Sequence, residues 1–353
     1  MLARRLARPA LLLVALLVAA CGGAPASGAP AASTAASSLP ATGAPATTPP
    51  TPTALTVGLG YIPSVQFAPF YLADQAGYYR DAGLTVTFQN KIDPDLVTLV
   101  GQGSIDIGLA DGTSVIPAVS QGIPVQYIAT IYRDFPSIVF AKATSGITSA
   151  ADLKGRKIGI PGRYGSSWVM LQALLGSAGL KATDVQIIEY PTYGQGAAVQ
   201  QGAVDAATGF FNNEPVQLKL AGFNPVILHV DSIVALPGPG LISSKTTLST
   251  KGAAITAFVA ATLRAMSDIA ANPTLGLDAT IKVVPELAAD RAAQAAILNA
   301  TITAWKGTAA NAPAMGTIDI AGWTASAAFM TTLGLVANPV KVEDLVRSDM
   351  LPH

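Results

Sequence analysis

From residue 55 onward the chain alternates short apolar runs with amphipathic stretches, and the hydrophobic period shifts between that of a strand and that of a helix. Residues 55–59 (Leu-Thr-Val-Gly-Leu) read as a strand running into the loop Gly60-Tyr61-Ile62-Pro63-Ser64. A helix over 68–76 follows, with Gly77 placed to cap its C-terminus. Residues 84–88 predict a second strand, 95–102 a short helix, 105–110 a third strand, 113–121 a helix and 125–131 a fourth strand. Strands and helices alternating over short connections predict a mostly parallel sheet covered by helices.

The pattern then restarts. Strands at 157–160, 185–189, 206–211 and 225–230 are interleaved with helices at 166–178, 194–201 and 216–220, and 238–243 leads out of this second set. The remainder reads as helical. Ile255, Phe258, Val259, Thr262, Leu263, Met266 and Ile269 share one face at 3.6-residue spacing, and further helices are predicted over 287–303 and 320–334. The fold class is therefore α/β, with two lobes whose crevices face each other at the carboxyl ends of their strands, as in a clamp. The first lobe takes residues 55–142 and 243–353 and the second takes 143–242, with hinges at 141–144 and 241–245.

The first fifty-four residues follow neither period. Residues 1–8 are cationic, and 9–20 are an apolar run too short to span ~30 Å of hydrocarbon. The run ends in Val18-Ala19-Ala20 before Cys21, the only cysteine of the chain. This resembles a bacterial lipoprotein signal: 1–20 is removed and Cys21 is diacylated as the mature N-terminus, the alternative being an ordinary signal peptide with an incidental cysteine. Residues 22–54 are nearly all Ala, Pro, Thr, Ser and Gly with no charge, so 21–54 is expected to be a disordered tether. The expected location is the cell membrane, with the folded part facing the periplasm or the exterior.

Composition narrows the chemistry. Of 353 residues 50% are hydrophobic and 12% charged; without Arg4, Arg5 and Arg8 of the leader, 18 basic residues face 21 acidic ones. That balance argues against nucleic acid as a partner. Two histidines, His229 and His353, and the single Cys21 leave no zinc cluster or thiol redox pair and little room for a Ser-His-Asp triad, so no cofactor or metal is expected.

Several stretches carry a family resemblance. Phe67-Ala68-Pro69-Phe70-Tyr71-Leu72-Ala73 runs into Gly77-Tyr78-Tyr79-Arg80-Asp81-Ala82-Gly83-Leu84, and Gly101 to Gly108, Asp152 to Gly159 and Gln201 to Ala206 follow in order. In these the chain resembles type II solute-binding proteins of ABC importers, in the branch that binds nitrate, sulfonates and thiamine pyrimidine precursors and includes the yeast thiamine pyrimidine synthase. The resemblance implies the type II periplasmic-binding-protein fold and no enzymatic activity. It implies as partners a small-molecule solute and an ABC permease with its ATPase, the chain itself being a monomer. The motifs themselves read as scaffold, with Asp106 and Asp205 sitting where strands begin.

The candidate ligand groups stand at strand ends. Tyr61 follows the first strand; relatives place a stacking Trp near this point, although a loop aromatic packing beside Pro63 would look the same. Gln66 and Phe67 open the next helix. Asp111 ends the third strand and either accepts from a ligand N–H or caps the following helix. Tyr164, Ser166 and Ser167 lie in the corresponding loop of the second lobe, a position the family uses for ligand contact, with Arg163 at the rim. Asn212, Asn213 and Glu214 follow a strand directly and offer amide donors and several acceptors, which suit a heterocycle edge better than a sulfonate. The plainer alternative is a turn with Glu214 capping a helix. Tyr132, with Arg133 and Asp134, and Tyr193, with Tyr190, complete the set, while His229 reads as structural. The expected solute is an aromatic vitamin or precursor, riboflavin first and a thiamine pyrimidine second. A sulfonate, nitrate or taurine is the alternative within the class, and a synthase-like enzyme the alternative outside it.

Overall fold

The computed structural model describes residues 51–90, 95–231 and 233–352. The signal peptide, Cys21 and the tether up to residue 50 lie outside the described residues. The first lobe begins with β1 (Thr53–Gly58), α1 (Ala68–Gln75), α2 (Tyr78–Asp81), β2 (Leu84–Gln89), α3 (Leu96–Gly101), β3 (Ile107–Ala110), α4 (Gly112–Ser120) and β4 (Val125–Thr130). The second contains β5 (Ser137–Lys142), β6 (Lys157–Ile160), α5 (Gly165–Ser177), β7 (Gln186–Glu189), α6 (Gln195–Gln201), β8 (Ala206–Phe210), α7 (Glu214–Leu220) and β9 (Pro225–His229). The chain returns through β10 (Gly240–Ser244) and continues as α8 (Lys245–Ala271), α9 (Pro273–Val283), α10 (Arg291–Lys306), α11 (Ile320–Thr332) and α12 (Val342–Leu345). β1 starts at Thr53, so the folded part begins two residues inside the expected tether.

Both sheets have five strands in the same spatial arrangement, β2-β1-β3-β10-β4 in the first and β7-β6-β8-β5-β9 in the second, although the fourth strand in that arrangement comes last in sequence in the first sheet and first in the second. The parallel strands β1, β2 and β3, and likewise β6, β7 and β8, were expected. Each sheet also takes one antiparallel strand, β10 between β3 and β4 and β5 between β8 and β9. This corrects the expected hinges. β5 already belongs to the second sheet and β10 to the first, so the crossings are 131–136 and 230–239, not 141–144 and 241–245. The reason is local: Ser137–Lys142 is a buried apolar run with no helix between it and β4, so it carries no sign of a change of sheet.

The matching aspartates tie strands together in the same way in each lobe. Asp106 accepts from the Thr56 N–H at 2.9 Å, and Asp205 accepts from the Lys157 N–H at 2.8 Å. The first core is built on β1, α1 and α8, where the Tyr79 and Phe258 rings stack with centroids 4.8 Å apart. α8 is long and apolar enough to cross a membrane, but Ile255, Phe258, Val259, Thr262, Met266 and Ile269 are buried in this core and Leu263 lies half-buried beside them. The second core gathers Ile158, Ile160, Met170 and Leu171 between sheet and α5. His229, on β9, is not buried there: its side chain is 44% exposed, with the Phe211 ring 6.1 Å away and Asp231 3.8 Å from Nδ1.

Candidate functional site

The carboxyl ends of β1, β3, β6 and β8 open on a cleft of about 650 Å³ between the lobes, within the ~300–1,000 Å³ of small-molecule sites. Eleven of the twelve ligand candidates line it: Tyr61, Gln66, Phe67, Asp111 and Tyr132 from the first lobe, and Tyr164, Ser166, Ser167, Tyr193, Asn213 and Glu214 from the second.

Aromatic rings form one wall. Tyr61 meets Tyr193 edge to face with centroids 4.6 Å apart, and Phe67 lies 6.4 Å from Tyr61. Burial, and then the nearby Glu214 carboxyl, raise the Tyr61 hydroxyl far above its ordinary range, so it is a neutral donor and acceptor. Tyr193 is the one non-glycine residue with positive φ among the described residues, at 61°. A bulky side chain rarely takes that backbone, and such strain gathers at ligand clamps. Tyr164 stands at the mouth, 40% exposed.

Glu214 supplies the second feature. It is the first residue of α7, preceded by Asn213 at the cap position, and its carboxylate turns back to accept the Phe210 N–H at 2.8 Å. Neither residue caps the helix through its side chain; Asn213 Oδ1 instead accepts from Gln217. Burial, partly offset by backbone hydrogen bonds, pushes the Glu214 carboxyl up to about 7. Room for it exists because residue 209 is glycine: a Cβ there would stand 2.7 Å from Glu214 Oε2.

Asp111 realises its capping role. Oδ1 accepts from the backbone N–H of Thr113 at 2.9 Å and of Ser114 at 3.1 Å, and also takes the Thr113 hydroxyl. Burial raises its carboxyl, while these bonds and the Ser166 hydroxyl from the opposite lobe pull the other way. Arg163 is the only Lys or Arg among the described lining residues; it is paired with Glu189 at 3.0 Å and lies over the Trp168 ring.

Asn212 is a correction. It does not line the cleft but is fully buried behind it, donating to Gln66 Oε1 at 3.1 Å and Thr301 Oγ1 at 2.7 Å. Asn212 and Asn213 both stand in the turn between β8 and α7, which directs Asn212 inward and Asn213 to the cleft. Tyr190 is not in the lining either. Arg133 and Asp134 are turned to a smaller cavity beside the crossings, where Arg133 donates to the Ala314 and Thr317 carbonyls. The sequence reading missed Gln195, buried at the start of α6, and an apolar arm formed by Leu96, Val97, Pro117 and Trp168. The one sequence signal for Gln195 was its position at a strand-to-helix junction.

The chain belongs to the NMT1/THI5-like family, whose model matches residues 64–275. It is 32% identical to the riboflavin-binding protein RibY of Chloroflexus aurantiacus over 302 residues, covering 84% of this chain and 86% of that one. It is 29% identical to the formylaminopyrimidine-binding protein of Halalkalibacterium halodurans, covering 63% and 68%. Among solved structures, the periplasmic aliphatic sulphonate binding protein SsuA of Escherichia coli superposes with a TM-score of 0.65 at 21% identity, covering 84% and 97%. The fold is that of the periplasmic binding proteins, as the motifs implied.

Proposed function

We propose that this member of the NMT1/THI5-like family is the solute-binding component of an ABC importer, anchored by lipid on Cys21 to a cell membrane. Its cleft takes a small aromatic heterocycle, riboflavin first and a thiamine pyrimidine precursor second. One observation carries the reading: the cleft joins a wall of Tyr61, Phe67 and Tyr193 to a buried Glu214, while Arg163, the only cation among its described lining residues, is already paired. Rings stack on rings, and a carboxyl titrating near neutrality meets the N–H edge of a heterocycle. A sulfonate or nitrate would instead face Glu214 and Asp111 with no free cation in the described lining. The names of the two binding-protein relatives, for riboflavin and for formylaminopyrimidine, point the same way.

The role is binding, not catalysis. His229 stands outside the cleft lining, and the sole cysteine is assigned to the anchor. The deciding experiment is an absorption spectrum and native mass of protein purified from its own host, followed by titration with riboflavin. Yellow protein carrying a flavin mass is expected. Colourless protein that ignores riboflavin and the pyrimidine but binds taurine or nitrate would overturn the assignment.

A further inference from the structure

Behind the aromatic wall a second group of polar side chains joins the lobes. Asn212 sits in the connection between β8 and α7, so it belongs to the second lobe, yet both its side-chain hydrogen bonds run into the first. One goes to Gln66, just before α1, and the other to Thr301, in the middle of α10. The Tyr132 hydroxyl donates to the same Gln66 oxygen at 3.4 Å. Phe211 and Val216, on either side of Asn212, pack against the first lobe's core.

Separating the lobes would pull one amide from two partners at once and strip Gln66 Oε1 of a donor. Water replaces these partners once the lobes part, so the two bonds give the closed arrangement a modest advantage, reduced by Asn212 Oδ1, which is buried with no hydrogen-bond partner among the described residues. Gln66 also lines the cleft. The same side chain therefore faces the solute chamber on one side and Asn212 on the other.

We propose that Asn212 is a polar latch, a positioning residue that holds the two lobes together through Gln66 and Thr301 and so sets how long a solute stays. The residence-time part rests on the binding reading above; the latch itself concerns the two lobes alone. In stopped-flow fluorescence with riboflavin, Asn212→Ala releases the flavin roughly ten-fold faster, with the association rate unchanged. Thr301→Val, which removes one of the two bonds, accelerates release about three-fold and adds nothing in the Asn212→Ala background.

Small-angle scattering of the full-length protein without added solute gives a larger radius for Asn212→Ala than for wild type. A merely structural role predicts lower melting temperatures with release rates and radius unchanged, and that result overturns the proposal. If wild type takes up no riboflavin, the ligand assignment fails and the scattering comparison alone decides the latch. If Asn212→Ala does not fold, Thr301→Val decides it, and an unchanged release rate and radius in that variant refute it.

Discussion

Replacing Glu214 by glutamine separates what the carboxyl does for the empty fold from what it does for a solute. Glutamine keeps the shape and can still accept the Phe210 N–H, but it cannot ionise. Below about pH 4.5 the carboxyl is protonated in both folded and unfolded chains, and its charge plays no part. As pH rises toward 7, the unfolded chain ionises first and is favoured; above about 7 the folded protein ionises too and the loss levels off. A carboxyl raised from 4.5 to about 7 corresponds to about 3 kcal/mol lost over that window. Wild type should therefore fall relative to Glu214→Gln by roughly 5–10 °C in melting temperature between about pH 4.5 and pH 8. The solute works in the other direction. A ligand N–H held against the carboxylate favours the ionised form, so binding near pH 6 should release a proton, read by calorimetry in buffers of different ionisation enthalpy. Glu214→Gln abolishes that release and weakens binding about ten-fold, the difference between a charged and a neutral hydrogen bond. Parallel melting profiles together with equal affinity and proton release would refute both halves of the argument.

Cys21→Ala should move the protein from the membrane fraction to the soluble one on cell fractionation; a variant that stays membrane-bound removes the lipid anchor. Gly209→Ala puts a methyl 2.7 Å from Glu214 Oε2 and 2.8 Å from the Phe140 ring. Overpacking of that kind costs about 1–3 kcal/mol, so the melting temperature should fall by several degrees, and an unchanged value would contradict the geometry. Tyr193→Gly and Tyr193→Ala should both bind riboflavin several-fold more weakly by titration, since both lose the ring against Tyr61. Glycine accepts the φ of 61° that alanine does not, so the glycine variant should be the more stable by about 1 kcal/mol, and the reverse order would rule out backbone strain.

Much of this architecture was legible because parallel strands announce themselves. β1, β2 and β6 are short apolar runs bounded by turn residues, with a helix after β1 and β6 to carry the chain back. β5 and β10 gave no such sign. Each is a short, mostly buried run whose antiparallel place is fixed only by strands distant in sequence. α9 was missed although Asn272 and Pro273 mark its start, with Asn272 accepting from the Thr274 N–H. At the site, junctions after strands were the useful guide, since the fold brings those ends together whatever the side chains are. Direction was not legible: the turn between β8 and α7 sends Asn213 to the cleft and Asn212 away from it, and nothing in the residue types marks the difference. The apolar arm was invisible because Leu96, Val97 and Pro117 look like any helix packing face.

The borrowed antiparallel strands also set an order of assembly. All strands of the second sheet come from one unbroken stretch, residues 137–229. In the first sheet, the one strand beside β4 is β10, and the single bridges of β4 go to Gly316 and Val346; all of these lie beyond that entire stretch in sequence. A chain made from its N-terminus can therefore complete the second sheet while β4 still has no neighbour strand to join. Until residues 240–244 emerge, β3 and β4 present unpaired edges to whatever is nearby. The lobe whose first strands leave the ribosome earliest is the lobe that finishes folding last.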